Sequence, residues 1–588
     1  GDRKAPVTTY DMTLNQTIEL EFSEDALPVA MASYLAPWHQ RHFTAEVKSN
    51  AEDAWTHLGE VILNNVFTWQ DVSLQDLLAQ ATESGASDVS YTTRYLRLTL
   101  SDTDASLIEL VFLDADGNIT RPLNADTYGT LFDESDLYPE RYSFRNSMYF
   151  DEIYHARTAY EFLHGLPTYE NTHPPLGKIF IALGAAILGM NPFGWRIMGT
   201  LFGIAMLPFL YLFGKRMTRN TPAAALACFL FAFDFMHFTQ TRIATIDVYI
   251  TFFVIAMYYF MYRYCTMSFY DTPLHKTFIP LGLCGVCMGL GIASKWTGVY
   301  AGCGLALLFF AHLLRRYREY LYARAHPGKS TAGIQHQYIV KNFSGYTVKT
   351  IDFCLTFFVL IPVVIYLLSD LPFVDNAHPG LLDRMLANQT SMFNYHSGLE
   401  ATHPYSSSWY EWPTMIRPIW YYSGYLTDTV KEGISAFGNP IVWWIGVPAF
   451  VYLLYLLFTQ STLLRTLTGR KKKIPAAEVL SRREYSVAAF LVVGYLAQYL
   501  PWFFVTRITF IYHYFPSTPF VVLMIVYSLM QLKKKMSDRT FVIICCVYAA
   551  LAFGLFLLFY PVLSGQPVDV AFVVKYLRWR PDWVLISG

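Results

Sequence analysis

Acidic, basic, imidazole and aromatic side chains fall in this 588-residue chain in short groups that border long apolar runs. The first groups are Tyr149-Phe-Asp-Glu-Ile-Tyr-His155 and His173-Pro-Pro-Leu-Gly-Lys178. Gln240-Thr-Arg-Ile-Ala-Thr-Ile-Asp247 and Ser294-Lys-Trp-Thr297 follow, then His403-Pro-Tyr-Ser-Ser-Ser-Trp-Tyr-Glu-Trp412 and Arg507-Ile-Thr-Phe-Ile-Tyr-His-Tyr514. Ionisable groups are costly to hold at membrane depth and mark functional sites by default. This inventory suits transfer of a group from a lipid-linked phosphate. Lys178, Arg242, Lys295 and Arg507 can neutralise a phosphate at a membrane surface. A carboxylate of Asp151 or Glu152 can take a proton from an acceptor hydroxyl. Tyrosines and tryptophans can stack on sugar faces or line a prenyl chain. Single motifs also have a plainer reading, because outer loops of any membrane protein carry charges and interfacial aromatics. His155 and His403 suit hydrogen-bonded loop residues equally well, and Trp420-Tyr-Tyr422 suits an aromatic belt. The adjacent Asp-Glu pair, and Arg242 and Asp247 flanking a short apolar hinge, are harder to explain as surface.

Composition says what must position these groups. The chain is 54% hydrophobic, 17% aromatic and only 15% charged, against about 25% charged in soluble domains. A wholly soluble enzyme, a disordered chain and a disulfide scaffold are excluded. The net charge of −1 hides an asymmetry. Residues 1–150 carry nine Lys and Arg against 24 Asp and Glu, and the remainder carries 35 against 21. All eight cysteines lie in the apolar body. Cys284 and Cys287 have zinc-knuckle spacing without a second ligand pair, so they read as buried small hydrophobes and no metal is assigned.

Ten apolar spans are expected at 196–214, 221–240, 247–264, 277–294, 298–314, 350–369, 440–459, 485–502, 515–531 and 540–560. The basic clusters Lys215–Arg219, Arg315–Arg318, Gly469–Lys473 and Lys533–Lys535 all follow odd-numbered spans, so one orientation places all four in the cytoplasm. The head, segments 370–439 and 503–514, the C-terminus and the chemistry-bearing groups are then outside. Stretch 176–190 is apolar but short and suits an interfacial helix. A head outside the membrane requires an export signal or an earlier span, so a transmembrane helix is expected to precede Gly1. Residues 1–145 read as an extracytoplasmic β-sandwich with strands at Thr17–Phe22, His42–Ser49, Tyr95–Leu100 and Leu107–Leu113. Its order of Trp55, Phe67-Thr-Trp-Gln70, Tyr95-Leu-Arg-Leu98 and Leu113-Asp-Ala-Asp-Gly-Asn118 resembles the discoidin or carbohydrate-binding jelly-roll family, which implies sugar binding, a spacer role or partner docking. Segment 146–195 reads as the first outer, catalytic loop, and 196–588 as the transmembrane domain.

The order Phe150-Asp-Glu152, His173–Lys178, Gln240-Thr-Arg242 with Asp247, Ser294-Lys-Trp296, His403–Trp409 with Arg417-Pro-Ile419, and Tyr512-His-Tyr-Phe-Pro516 closely resembles the protein O-mannosyltransferases. These are GT-C polyprenyl-phosphate-sugar glycosyltransferases, and the match spans roughly residues 149–560. The resemblance implies a polytopic α-helical GT-C fold of eleven spans, ten here and one before Gly1. It implies an inverting single displacement outside a bacterial plasma membrane, from a polyprenyl-phosphate sugar to a Ser/Thr hydroxyl of an exported protein. Asp151 is then the catalytic base, with Glu152 orienting the acceptor. Arg242 is the main phosphate contact, assisted by Lys295, Arg507 or His513. Asp247 holds the hinge, and His173 and Lys178 shape the donor site. His155, Trp296, His403 and Trp409 complete the donor and acceptor site. A good leaving group is already present, so no cofactor and no metal are required. Nucleic acid is not a partner, and the oligomeric state stays open.

Eukaryotic members carry a large β-trefoil insert in a late outer loop. Segment 370–439 is too short for it, and an added acidic head stands before the Asp-Glu motif instead. This arrangement is similar to a bacterial branch and leaves donor sugar and acceptor open, with a cell-wall glycan or lipid as alternatives. Two other classes compete. A transporter of lipid-linked sugars would need inverted repeats or broken helices at mid-membrane, and no duplicated hydropathy pattern is found. A scaffold with a glycan-binding head would not need the Asp-Glu, Arg242 and Asp247 set.

Overall fold

The structure is a computed structural model that describes residues 1–37, 40–83, 93–331, 333–460 and 483–586. The chain forms two compact units, Gly1–Leu166 with Ile181–Arg196, and Pro167–Phe180 with Ile197–Gly588.

The first unit is built on β1 (Tyr10–Met12), β2 (Thr17–Glu21), β3 (Ala30–Leu35), β4 (Arg41–Lys48), β5 (Thr56–Leu63), β6 (Trp69–Ser73), β7 (Tyr95–Leu100), β8 (Ala105–Leu113) and β9 (Ile119–Thr120). The strands pair antiparallel in the orders β1-β8-β3-β6, with β9 on β8, and β2-β7-β4-β5. The pairs 1 with 8, 2 with 7, 3 with 6 and 4 with 5 are the strand order of a jelly roll. Strict in-out alternation along β4 and β7 shows one wetted face, whereas β8 is buried along most of its length. Phe22 beside β2 and Phe112 on β8 bring the two sheets together edge-to-face, ring centroids 5.0 Å apart. Helix α1 (Leu74–Glu83) lies between β6 and β7.

Residues 146–166 pack into this unit and do not form a separate loop domain. Met148 N–H donates to the Phe67 carbonyl at 3.3 Å, and the Tyr160 ring lies 5.0 Å from Phe67. Asp2 ties both ends in, donating to Arg145 and accepting from Phe193.

Glu109 of β8 is fully buried, where Ser135 Oγ and the Glu134 N–H donate to its two oxygens at 2.5 and 3.1 Å. Burial foremost, with the Asp133 and Glu134 carboxylates adding, pushes its carboxyl up to about 8 against those two hydrogen bonds. The folded state therefore binds a proton that the unfolded chain releases above about 4.5. Stability from this group is full below that pH and is lost as pH rises towards 8. Glu109→Gln is expected to flatten the fall in thermal midpoint between pH 5 and 8.5, and an unchanged slope would remove Glu109 as its source.

In the second unit, nine helices among the described residues are long and apolar enough to cross a membrane. They are Pro192–Thr218, Asp247–Cys265, Leu274–Ser294, Gly298–Ala325, His336–Ser369, Pro440–Thr459, Val487–Phe504, Ile511–Lys533 and Asp538–Ser564. They cover nine of the ten expected spans. The expected span 221–240 is instead divided into Thr221–Ala232 and Phe235–Gln240. The break is at Asp234, whose carboxylate caps the second piece by accepting from Met236 and His237 and also accepts from Asn439 N–H at 3.0 Å. Asn439 Nδ2 satisfies the Phe233 and Ala552 carbonyls in return. Leu176–Leu188 is a helix of 13 residues, short for a crossing as expected. The basic cluster 469–473 lies outside the described residues. All eight cysteines are free thiols.

Segment 370–439 contains the helix Leu381–Gly398 and a hairpin of Ile419–Tyr425 with Val430–Ala436. Val568–Asp569 adds a third strand to that hairpin, and Trp583 Nε1 donates to the Met415 carbonyl.

Candidate active site

In the first unit, Asp151 is the N-cap of the helix Glu152–His164 and is partly exposed. Its carbonyl accepts from Tyr154 and His155, while its side chain does not cap the helix. Phe150, just before it, has φ +52°. A bulky residue in the left-handed region is strained and persists only where surrounding contacts hold it.

Those contacts come from Glu152, and here the structure corrects the sequence reading. Glu152 is wholly buried, and both carboxylate oxygens bind the Arg196 guanidinium, Nε at 2.7 Å and Nη2 at 2.6 Å. Arg196 also donates to the Phe144 and Ser147 carbonyls at 2.5 and 2.9 Å, and Tyr149 N–H donates to Glu152. A carboxylate so committed cannot orient an acceptor; it positions the Tyr149–Asp151 turn. His155 is buried on the inner face of the same helix, beside the Arg157–Glu161 ion pair in sequence.

In the second unit, Lys178 is also corrected. It is 1% exposed and pairs with Glu170, whose carbonyl it reaches as well at 2.8 Å. Its charge is spent on closing the loop that carries His173, so it is not a phosphate contact. Gly177 explains the neighbouring motif position, since a Cβ there would stand 2.8 Å from Ile246 Cγ2. Only glycine lets the two segments come this close.

Around Asp247 the structure gathers Lys295 and His513, with Trp296 next to Lys295 in the chain. Lys295 Nζ donates to Asp247 Oδ1 at 2.7 Å, both side chains being under 10% exposed. Asp247, Lys295 and His513 line one small cavity with Gln498 and Trp502. Lys295 stands 5.8 Å over the Tyr512 ring, and Tyr421 links that ring to Gln240 through a 2.8 Å hydrogen bond. His513 stacks among Trp412, Trp502 and Tyr512. Trp296 Nε1 donates to Tyr366 and Gln389, and its ring faces His396 at 6.2 Å.

His396 on Leu381–Gly398 was not singled out from sequence. Its ring lies 5.3 Å from His173, and Nε2 donates to the Thr172 carbonyl at 2.8 Å. Nδ1 is buried with no hydrogen-bond partner among the described residues. Burial first, then the positive charges of Arg507 and Lys295, hold the imidazole below its ordinary pKa. His396 is therefore neutral near pH 7 and presents Nδ1 as an acceptor.

Arg507 lies in a cleft of about 740 Å³ with His403, Arg417 and Glu411. Its guanidinium donates to the Ile508 carbonyl and forms no ion pair among the described residues. Trp409 instead packs against Tyr499 and Phe503, as a belt residue would. Arg242 donates to the Leu563 and Ser564 carbonyls at 3.2 Å and stacks on Phe238 at 4.6 Å, so part of its role is to satisfy a helix C-terminus.

Comparison with known proteins identifies the family. A family model described as dolichyl-phosphate-mannose-protein mannosyltransferase matches residues 187–378. A second, described as the C-terminal four-span region of protein O-mannosyltransferase, matches residues 381–583. The polyprenol-phosphate-mannose–protein mannosyltransferase of Mycobacterium tuberculosis is 25% identical over 494 residues, covering 74% of this chain and 86% of that protein. Its namesake from Mycolicibacterium smegmatis is 26% identical over 493 residues, covering 74% and 87%. The Saccharomyces cerevisiae Pmt1–Pmt2 complex bound to the sugar donor superposes with a TM-score of 0.59 at 14% identity, covering 75% of this chain and 90% of that one, a likeness of fold. With both family models aligned in order on the unit that holds Asp247, Lys295 and Arg507, this chain belongs to the protein O-mannosyltransferase family, a family of polytopic membrane glycosyltransferases.

Proposed function

We propose that the protein moves a mannosyl group from a polyprenyl-phosphate carrier to a Ser or Thr hydroxyl of an exported protein, by single displacement at the outer face of a bacterial plasma membrane. The observation that carries this reading is the buried Asp247–Lys295 pair, in one cavity with His513 and Trp502, with Arg507 in the outer segment that leads into that histidine. Two cations beside an aromatic-lined hinge suit a sugar phosphate and have no use in a spacer.

Each residue then has one task. Asp151 accepts the proton from the acceptor hydroxyl as that oxygen attacks the anomeric carbon and the bond to the carrier phosphate breaks. Arg507 and Arg242 stabilise the charge developing on the leaving phosphate. Lys295, steered by Asp247, adds to that field. Glu152 positions Asp151 through Arg196, and Lys178 positions His173 through Glu170. His396 accepts a hydrogen bond from a sugar hydroxyl through Nδ1. None of these tasks calls for a metal or a cofactor.

The phosphate contacts are tested by Arg507→Gln and Arg242→Gln. Losing a charge-assisted hydrogen bond costs about 1.5–3 kcal/mol, so KM for polyprenyl-phosphate-mannose is expected to rise roughly 10- to 100-fold, with KM for the peptide acceptor little changed. An unchanged donor KM in either variant would take that arginine out of the phosphate site.

A further inference from the structure

The helices Asp247–Cys265 and Gly298–Ala325 begin at the Asp247–Lys295 site and end at a second cluster of buried charge. At 1.5 Å per residue, Cys265 lies roughly 27 Å along its helix from Asp247, about the thickness of a bilayer core. There a cavity of about 170 Å³ is lined by Arg315, Arg316, Glu319, Tyr270, Asp271 and His336.

Arg316 is the unusual member. Its side chain is 2% exposed, and Nη2 is held by Glu319 Oε1 at 2.9 Å. Its Nε and Nη1 are buried with no hydrogen-bond partner among the described residues, and so are Glu319 Oε2 and the Tyr270 hydroxyl. Leaving such groups unsatisfied is costly, most of all for charged ones. Unmet guanidinium N–H groups and an unmet carboxylate oxygen, on two residues that line one cavity, call for a ligand with an acceptor oxygen on one side and a donor on the other. The lining is mixed: beside the charged groups stand Tyr270 and Ile339, which belong to a buried apolar cluster with Phe269 and Ala323. Tyr317, Leu321 and Tyr338, on the same two helices that carry Arg316 and His336, are each more than 40% exposed.

We propose that this cavity is a head-group site for a phosphate-bearing molecule that also carries a hydroxyl or ammonium group, and that a membrane phospholipid is its natural occupant. A phosphate oxygen accepts from Arg316 Nη1, while the hydroxyl or ammonium donates to Glu319 Oε2. The acyl chains then lie along the exposed apolar side chains of the two helices. The site takes no part in the transfer reaction; it anchors the far ends of two helices, one starting at Asp247 and the other just after Lys295.

The test is native mass spectrometry of the full-length protein, delipidated in detergent and titrated with phosphatidylglycerol or phosphatidylethanolamine. The wild type is expected to hold one lipid tightly. Arg316→Lys, which keeps the charge but loses the planar fork, and Glu319→Gln are each expected to weaken that binding at least tenfold. Arg219→Gln, an exposed basic position, is expected to bind as the wild type does. Thermal unfolding of every variant separates lost binding from lost folding. Inorganic phosphate at millimolar concentration is the competing probe. Displacement of lipid by it supports head-group recognition open to soluble phosphates, and failure to displace, with binding still lost in both variants, supports a lipid-only site. Equal binding by wild type and both variants, or no binding of either probe by wild type, overturns the proposal.

Discussion

Asp151→Asn is expected to reduce kcat for mannosyl transfer by about 10²- to 10⁴-fold, the usual contribution of a positioned general base, with little change in either KM. The amide keeps the size and shape of the carboxylate, so the Phe150 turn and the Glu152–His164 helix that Asp151 caps should be preserved. An unchanged thermal midpoint would confirm that the loss is chemical. The partly exposed setting of Asp151 contrasts with Glu152, which is completely buried next to it. Asp151 is therefore the carboxylate of the pair that an acceptor hydroxyl can reach. Wild-type kcat in Asp151→Asn would end its assignment as base and leave the pair without a catalytic member.

The second large effect is expected at Arg196, through stability. Arg196→Met takes the guanidinium partner from a Glu152 carboxylate that has no exposure. Removing one partner of a buried pair costs about 3–5 kcal/mol, whereas replacing both by apolar side chains is close to neutral. Arg196→Met should therefore lower the thermal midpoint sharply and reduce transfer. The double variant Glu152→Met, Arg196→Met should recover much of the midpoint. It should recover less of the activity, because the carbonyls of Phe144 and Ser147 lose their donor in both variants. If the double variant unfolded as early as Arg196→Met alone, the pairing account of the Tyr149–Asp151 turn would fail.

The residues proposed for the chemistry were easier to read in the sequence than the residues that hold them. Asp247, Lys295, Trp296, His173 and His513 stand out because charged, imidazole and indole groups are conspicuous beside apolar runs, and the structure brings them into one region of the second unit. The strands β2, β4, β7 and β8 were legible from β-branched and alternating residues. Strand β3, Ala30–Leu35, was not, since its small residues carry little β signal and it is held by partners on both sides, β6 and β8. Glu152 and Arg196 are 44 residues apart, and Arg196 is the first residue of the expected span 196–214; pairing at that range has no local signature. Lys178 looked like a cation available to phosphate because Glu170 lies eight residues upstream in a loop, at a spacing that no regular element brings together. The division of span 221–240 escaped a hydropathy window for a related reason. A single Asp in an apolar run barely changes the average, yet Asp234 caps a new helix and receives Asn439 from elsewhere in the chain. His396 lay in a segment with no periodicity, and its importance comes only from contacts to Thr172, His173 and Trp296.

The most direct test of the central claim is a transfer assay with the purified protein in detergent, polyprenyl-phosphate-mannose labelled in the sugar, and a Ser/Thr-rich peptide. Label should move to the peptide, map to Ser or Thr hydroxyls, and remain on the lipid when Asp151→Asn replaces the wild type. Label that stays on the lipid with active, folded wild-type protein, across a panel of Ser/Thr peptides, would contradict mannosyl transfer to protein.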